Sequence, residues 1–162
     1  MTIISRRILI SLLAAPALFS AACSISGTEP IASASVETTT FAPALGVDLS
    51  AMTRTASGVY MRDLVIGTGA VVTSGQQISV RYSGWLANGT LFDTVQPSSP
   101  PATFRIGVGQ VIAGWDAGVP GMRVGGKRQL VIPPSQGYGA FGSGPIPGNA
   151  VLVFSIDMVS AQ

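Results

Sequence analysis

The chain has 162 residues, enough for one domain with a substantial core; 47% of them are apolar and only 10% are charged. Its formal charge of +2 resides in Arg6 and Arg7, beyond which seven basic residues face seven acidic ones, so a nucleic-acid or polybasic membrane-surface role has no footing. With no histidine and one cysteine, the composition leaves no Cys/His metal site, no internal disulfide and no histidine-based triad.

Arg6-Arg7 precedes an apolar run from Ile8 to Phe19, and Ser20-Ala21-Ala22 places small residues ahead of Cys23. The run is shorter than the ~20 residues a bilayer-spanning helix needs, so residues 1–22 read as an export signal. Pro16 and the abrupt turn to polar sequence after Cys23 argue against a core helix. The arrangement around Cys23 resembles a bacterial lipoprotein signal, in which that cysteine is lipidated and becomes the new N-terminus, although Ser20 stands where leucine is usual. Plain cleavage after Ala22 is the alternative. The expected location is the cell envelope or periplasm, with a membrane as partner through a lipid on Cys23. Residues 23–55, rich in Ser, Thr, Ala and Pro, read as a flexible tether in which apolar residues such as Phe41 and Leu45 dock at most locally.

From Gly58 the pattern changes. Val59 to Ile66 is strand-like, and Gly67-Thr68-Gly69 turns the chain. Ile78, Val80, Tyr82, Gly84 and Leu86 share one parity, with Gln77, Ser79, Arg81, Ser83 and Trp85 on the other, the mark of a half-buried strand. Asn88-Gly89 signals a tight turn, and Thr90 to Asp93 returns as the partner. After a Pro-rich loop, Thr103 to Ile106 forms another strand. The stretch Gly107 to Val119 then carries Ile112 and Trp115 on one face of a short helical turn. Glycines at 114 and 118 make it a poor helix on propensity, so packing must hold it. Lys127 to Ile132 and Val151 to Val159 are the remaining strands; the second keeps Leu152, Phe154, Ile156 and Met158 on one parity. Between them lies Ser135 to Asn149, a Gly- and Pro-rich loop bearing Tyr138, Phe141 and Ile146, of the length that commonly carries function. The parts describe an α+β domain over residues 56–162: an antiparallel, strongly curved sheet wrapped around one short helix.

Tyr82 in ISVRYSGWL, Phe92-Asp93 in NGTLFDT, then VIAGWDAGV and GYGAFG followed by Ile-Pro, in that order, resemble the FKBP family of peptidyl-prolyl isomerases. The similarity runs from about Ser57 to Gln162 and implies the same architecture. It also implies a pocket lined by Tyr82, Phe92, Asp93, Val111, Ile112, Trp115, Tyr138, Ile146 and Phe154. In that reading Asp93, Tyr82, Trp115, Phe154 and Tyr138 carry catalysis, and Phe92, Val111, Ile112 and Ile146 bind substrate. No cofactor is expected. The implied partners are proline-containing polypeptide clients and the macrolide ligands of immunophilins.

The residues suit that chemistry. An apolar site without nucleophile, metal or histidine fits rotation about an amide bond, whose barrier of about 18–20 kcal/mol comes from C–N double-bond character. Twisting lowers the charge on the carbonyl oxygen, so a dry pocket favours the twisted form over the planar one. Each residue also has a plainer explanation: Phe154 and Val111 as core, Asp93 closing a turn, Tyr138 anchoring its loop; the combination carries the functional reading. Two departures from the family are expected to matter. Ala102 stands where an aromatic usually forms a wall, which predicts a wider, wetter side. The loop from Thr94 to Pro101 lacks a basic residue to pair with Asp93, which predicts a less firmly held carboxylate. The competing class is a non-catalytic, chaperone-like module that grips Pro-containing apolar segments; Trp115, Tyr82 and Asp93 favour the enzyme, while Ala102 and the absence of an insert-in-flap domain keep the binder open.

Overall fold

A computed structural model describes residues 34–162; the segment expected to be an export signal and Cys23 lie outside the described residues. Seven strands form one antiparallel sheet: β1 (Thr53–Arg54), β2 (Tyr60–Val65), β3 (Gln77–Leu86), β4 (Leu91–Thr94), β5 (Ala102–Arg105), β6 (Lys127–Ile132) and β7 (Leu152–Ala161). The order is β1-β2-β6-β7-β3-β4, and β5 pairs with the first half of β3 while β4 pairs with its second half. Register shifts at Asp63/Val65, Ser79/Val80 and Gly84/Trp85 bend the strands and help curve the sheet.

One helix, α1 (Ala113–Gly118), lies on the concave face. Its two glycines explain how so weak a helix is held. A Cβ on Gly114 would lie 2.4 Å from Ile132 Cγ2, and one on Gly118 would lie 2.8 Å from Leu130 Cδ2. Glycine thus lets the helix backbone rest directly on β6, and the packing replaces the missing propensity. Arg128, only 5% exposed, fixes the far end of the helix. Its Nη1 donates to the carbonyls of Gly118 (2.8 Å) and Pro120 (3.2 Å), while Nε and Nη2 grip both oxygens of Asp63 at 2.7 and 2.9 Å.

The inner parity of β3 and β7 builds the main core as its alternation predicts: Ile78, Val80, Leu152, Phe154, Ile156 and Met158 are buried with Trp115, Val119 and Leu130. The tether reading fails over residues 34–54. Three short 3-10 turns, Val36–Thr38, Pro43–Leu45 and Leu49–Ala51, lead into β1 as a strap packed on the convex face. Val36 is 2% exposed against Val131, Val151 and Val153, with Phe41, Leu45, Val47, Leu49 and Met52 packed around them. Polar clasps fix it: Gln129 Nε2 donates to the Leu45 carbonyl at 2.7 Å, Tyr60 Oη to Glu37 Oε1 at 2.7 Å, and the Ala42 N–H to the Ala87 carbonyl at 2.8 Å. The physical reason is on the sheet. Val131, Val151 and Val153 put apolar surface on the outward face, and a strap that covers it gains the burial free energy of those side chains.

Candidate active site

A concave cavity of about 420 Å³ opens above α1, lined by Tyr82, Phe92, Asp93, Phe104, Gln110, Val111, Ile112, Trp115, Tyr138 and Phe154. Trp115, 3% exposed, is its centre. Tyr82, Phe104 and Phe154 surround the indole nearly edge to face, with ring centroids 5.1, 5.7 and 5.5 Å away and interplanar angles of 88°, 82° and 88°. Phe92 continues the wall, perpendicular to Phe154 at 5.5 Å. Such pairs add about 0.5–1.5 kcal/mol each beyond area burial, so the box is rigid as well as apolar.

The sequence makes room for it at one position. Gly84 lies on the inner parity of β3, where a Cβ would come within 2.7 Å of both Phe154 Cε1 and Phe92 Cζ. Any larger residue there would push the two rings into the cavity. The floor's approach is pinned by Asp116, whose carboxylate accepts from the N–H groups of Gly107 (2.7 Å) and Gly109 (2.8 Å), and by Gln110 Oε1, which accepts from the Arg105 N–H. This fixes the turn that delivers Val111 and Ile112 to the cavity.

The rim carries the polar groups. Tyr82 Oη donates to Asp93 Oδ2 at 2.6 Å, so the carboxylate is firmly held without the basic partner whose absence from the Thr94–Pro101 loop predicted looseness. Burial, and then the bond to Asp93, push the Tyr82 phenol far above its ordinary value. Burial followed by the Asp93 charge raises Tyr138 as well, and both phenols therefore remain protonated donors at neutral pH. Tyr138 is 38% exposed at the mouth. Among the described residues no group of three metal-ligating side chains comes together.

The chain match decides the family. Residues 69–159 match the family model of the FKBP-type peptidyl-prolyl cis-trans isomerases. The chain belongs to this family. A protein named FK506-binding protein from Neisseria meningitidis serogroup B is 48% identical over 103 residues, covering 63% of this chain and 94% of the relative. The solved structure of AtFKBP13 superposes with a TM-score of 0.64 at 41% identity, covering 68% of this chain and 98% of that one. A peptidyl-prolyl cis-trans isomerase from Pseudomonas syringae pv. tomato gives 0.62 at 36% identity, with 69% and 81% covered.

Eight of the nine pocket residues that the FKBP resemblance implies line the cavity. Ile146 does not. The reciprocal backbone pair between Ser143 and Ile146, 2.9 Å each way, turns this residue inward, where it is 6% exposed in the core beneath the loop. The wider wall expected from Ala102 is also corrected. Ala102 pairs with Val80 and Phe104 with Ile78, so the two side chains share one face of β5, and Phe104 supplies the aromatic two residues later. The period-two alternation of Ala102-Thr103-Phe104-Arg105 carried that signal. Gln110 has no comparable sequence signal, since its place depends on the turn that its own side chain closes.

Proposed function

We propose that this FKBP-type isomerase is an exported enzyme, anchored through lipidated Cys23, that speeds X-Pro isomerisation in polypeptides folding outside the cytoplasm. The proline ring rests on Trp115 between Tyr82, Phe92, Phe104 and Phe154. The N–H of Ile112 and the hydroxyl of Tyr138 hold carbonyls of the bound chain. Desolvation in the aromatic box removes the water that favours the planar amide, and no proton transfer is required. Asp93 orients Tyr82 and presents its charge to the twisted amide. The 2.6 Å Tyr82–Asp93 bond above an all-aromatic box is the observation that supports this reading most. Uncatalysed X-Pro exchange takes ~10–100 s at 25 °C, which leaves ample room for a catalyst without chemistry. The name of the meningococcal relative, with the wall closed by Phe104, supports a macrolide as a competing ligand of the same box.

A protease-coupled assay on Asp93→Asn tests the mechanism. The substitution keeps the shape and removes the charge, so kcat/KM falls several-fold through kcat while KM and the denaturation midpoint hold. Unchanged turnover would reduce Asp93 to a turn-closing residue. The anchor is tested separately: Cys23→Ser shifts the protein out of the membrane fraction, and an unmodified mature terminus by mass spectrometry would sink the lipid.

A further inference from the structure

The convex face holds a second groove, outside the aromatic box. It encloses about 290 Å³ between β3, β6, β7 and the segment that follows β4, and its lining includes Arg81, Trp85, Leu91, Pro97, Lys127 and Ser155. The register sets its floor. Arg81 pairs with Asp157 across β3 and β7, and Asp157 pairs with Lys127 across β7 and β6, so one row of the sheet carries two cations and one carboxylate on the same face. Lys127 Nζ takes the Asp157 carboxylate at 3.3 Å. Arg81 makes none of the ion pairs among the described residues. The floor therefore has one cation in excess, and it sits beside the groove's apolar side chains.

The next row is Ser83 opposite Ser155. Thr94 Oγ1 donates to the Tyr82 carbonyl at 3.1 Å and lies 2.9 Å from Ser83 Oγ, so Ser83 donates to Thr94 and spends its proton there. Ser155 Oγ is buried with no protein partner, as is Arg81 Nε. Two donors thus lie without acceptors under one groove, one of them on a cation. The row beyond, Trp85 opposite Val153, is where the strap's apolar cluster begins, and the indole forms the wall on that side.

We propose that this groove is a second binding site, taking a ligand that joins a carboxylate to an apolar body. The guanidinium fork of Arg81 matches a carboxylate in shape and charge, and the Ser155 hydroxyl adds a neutral donor. Trp85, Leu91 and Pro97 receive the body. Two sources share this chemistry, a free small acid and the C-terminal residue of a polypeptide. The groove and the aromatic box lie on opposite faces of the sheet and share only Tyr82 in their linings, so occupancy of one does not require the other.

The test is an amide and indole NMR titration of the folded protein, whose two tryptophans report the two faces separately. Hippurate stands for the small acid and acetyl-Ala-Ala-Phe with a free carboxylate for the chain end. At least one of them is expected to shift the Trp85 indole N–H and the amides of Ser83, Ser155 and Asp157 saturably at millimolar concentration, leaving the Trp115 indole in place. Whichever acid binds names the source. Arg81→Gln should weaken binding about tenfold, the worth of a charge-assisted hydrogen bond. Hippuramide, of the same shape without the charge, should be as weak on the unaltered protein, which keeps the test decisive if the variant fails to fold. No outer-face shift, shifts centred on Trp115, equal binding of hippuramide, or equal binding of inorganic phosphate would each overturn the proposal.

Discussion

The two faces of the sheet are buried by different means. The concave face is covered by α1, whose glycines press its backbone onto Ile132 and Leu130 and leave Trp115 aimed into an aromatic box. The convex face is covered by a strap with hardly any regular structure, held by valines beneath it and a few polar clasps. One cover is inseparable from the site, and the other lies across the sheet from it. The difference teaches that stability and activity should come apart according to the face that is damaged.

The largest separation is expected from Trp115→Ala. It empties the centre of the box and costs about 3–5 kcal/mol as a cavity in a packed site. Urea denaturation and the isomerase assay should fall together; a variant with full activity would show that the indole is filler. Val36→Asp attacks the opposite cover. The buried position cannot hold a charge cheaply, so the strap detaches, and the loss is limited to its docking free energy, about 1–3 kcal/mol for one fully buried side chain and its neighbours. Here the denaturation midpoint should drop while kcat/KM per folded molecule stays near the parent value. A parallel loss of turnover would mean that the two faces are coupled.

The smallest effect is a matter of pH. Glu37 is held at about 2, below its ordinary 4.5, chiefly by the Ser35 hydroxyl, then by Tyr60 and, more weakly, by Arg54. Between those values the unfolded chain binds more protons than the folded one, so the strap's contribution is complete above about pH 4.5 and fades as the pH falls toward 2. The side chain is about half exposed, so solvent screens these contacts and the slope should be shallow. Glu37→Gln should flatten this part of the stability profile without altering activity at neutral pH; an unchanged slope would place the acid sensitivity elsewhere.

The inner face was legible because its signals are local and periodic. Tyr82 and Phe154 sit on strands whose alternation names their side, and Trp115 sits in a glycine-spaced turn that has no stability of its own. The strap was less legible for a physical reason. Its own residues carry no period, since 3-10 turns follow the surface they cover. The signal was in the partner instead: Val131, Val151 and Val153 are apolar on the parity that should face water, and something must cover them. At the site, Ile146 shows the same limit and Phe104 does not. Alternation finds Phe104, whereas the direction of Ile146 is set by a loop hydrogen-bond pair that composition does not encode.

The docked strap also sets a leash. With an anchor at Cys23, only residues 24–33 separate the lipid from a chain already fastened to the sheet at Ala34. Fully extended, that span reaches about 35–40 Å, against about 110 Å if the chain were loose as far as residue 55. The volume an anchored domain can search grows roughly as the cube of that reach, so under the anchoring proposed at Cys23 the fastened strap would shrink it more than tenfold and confine catalysis to segments close to the membrane. Lengthening the chain between Cys23 and Ala34 should widen the zone in which membrane-tethered proline substrates of graded height are turned over, and an unaltered zone would mean the leash is set by something other than the strap.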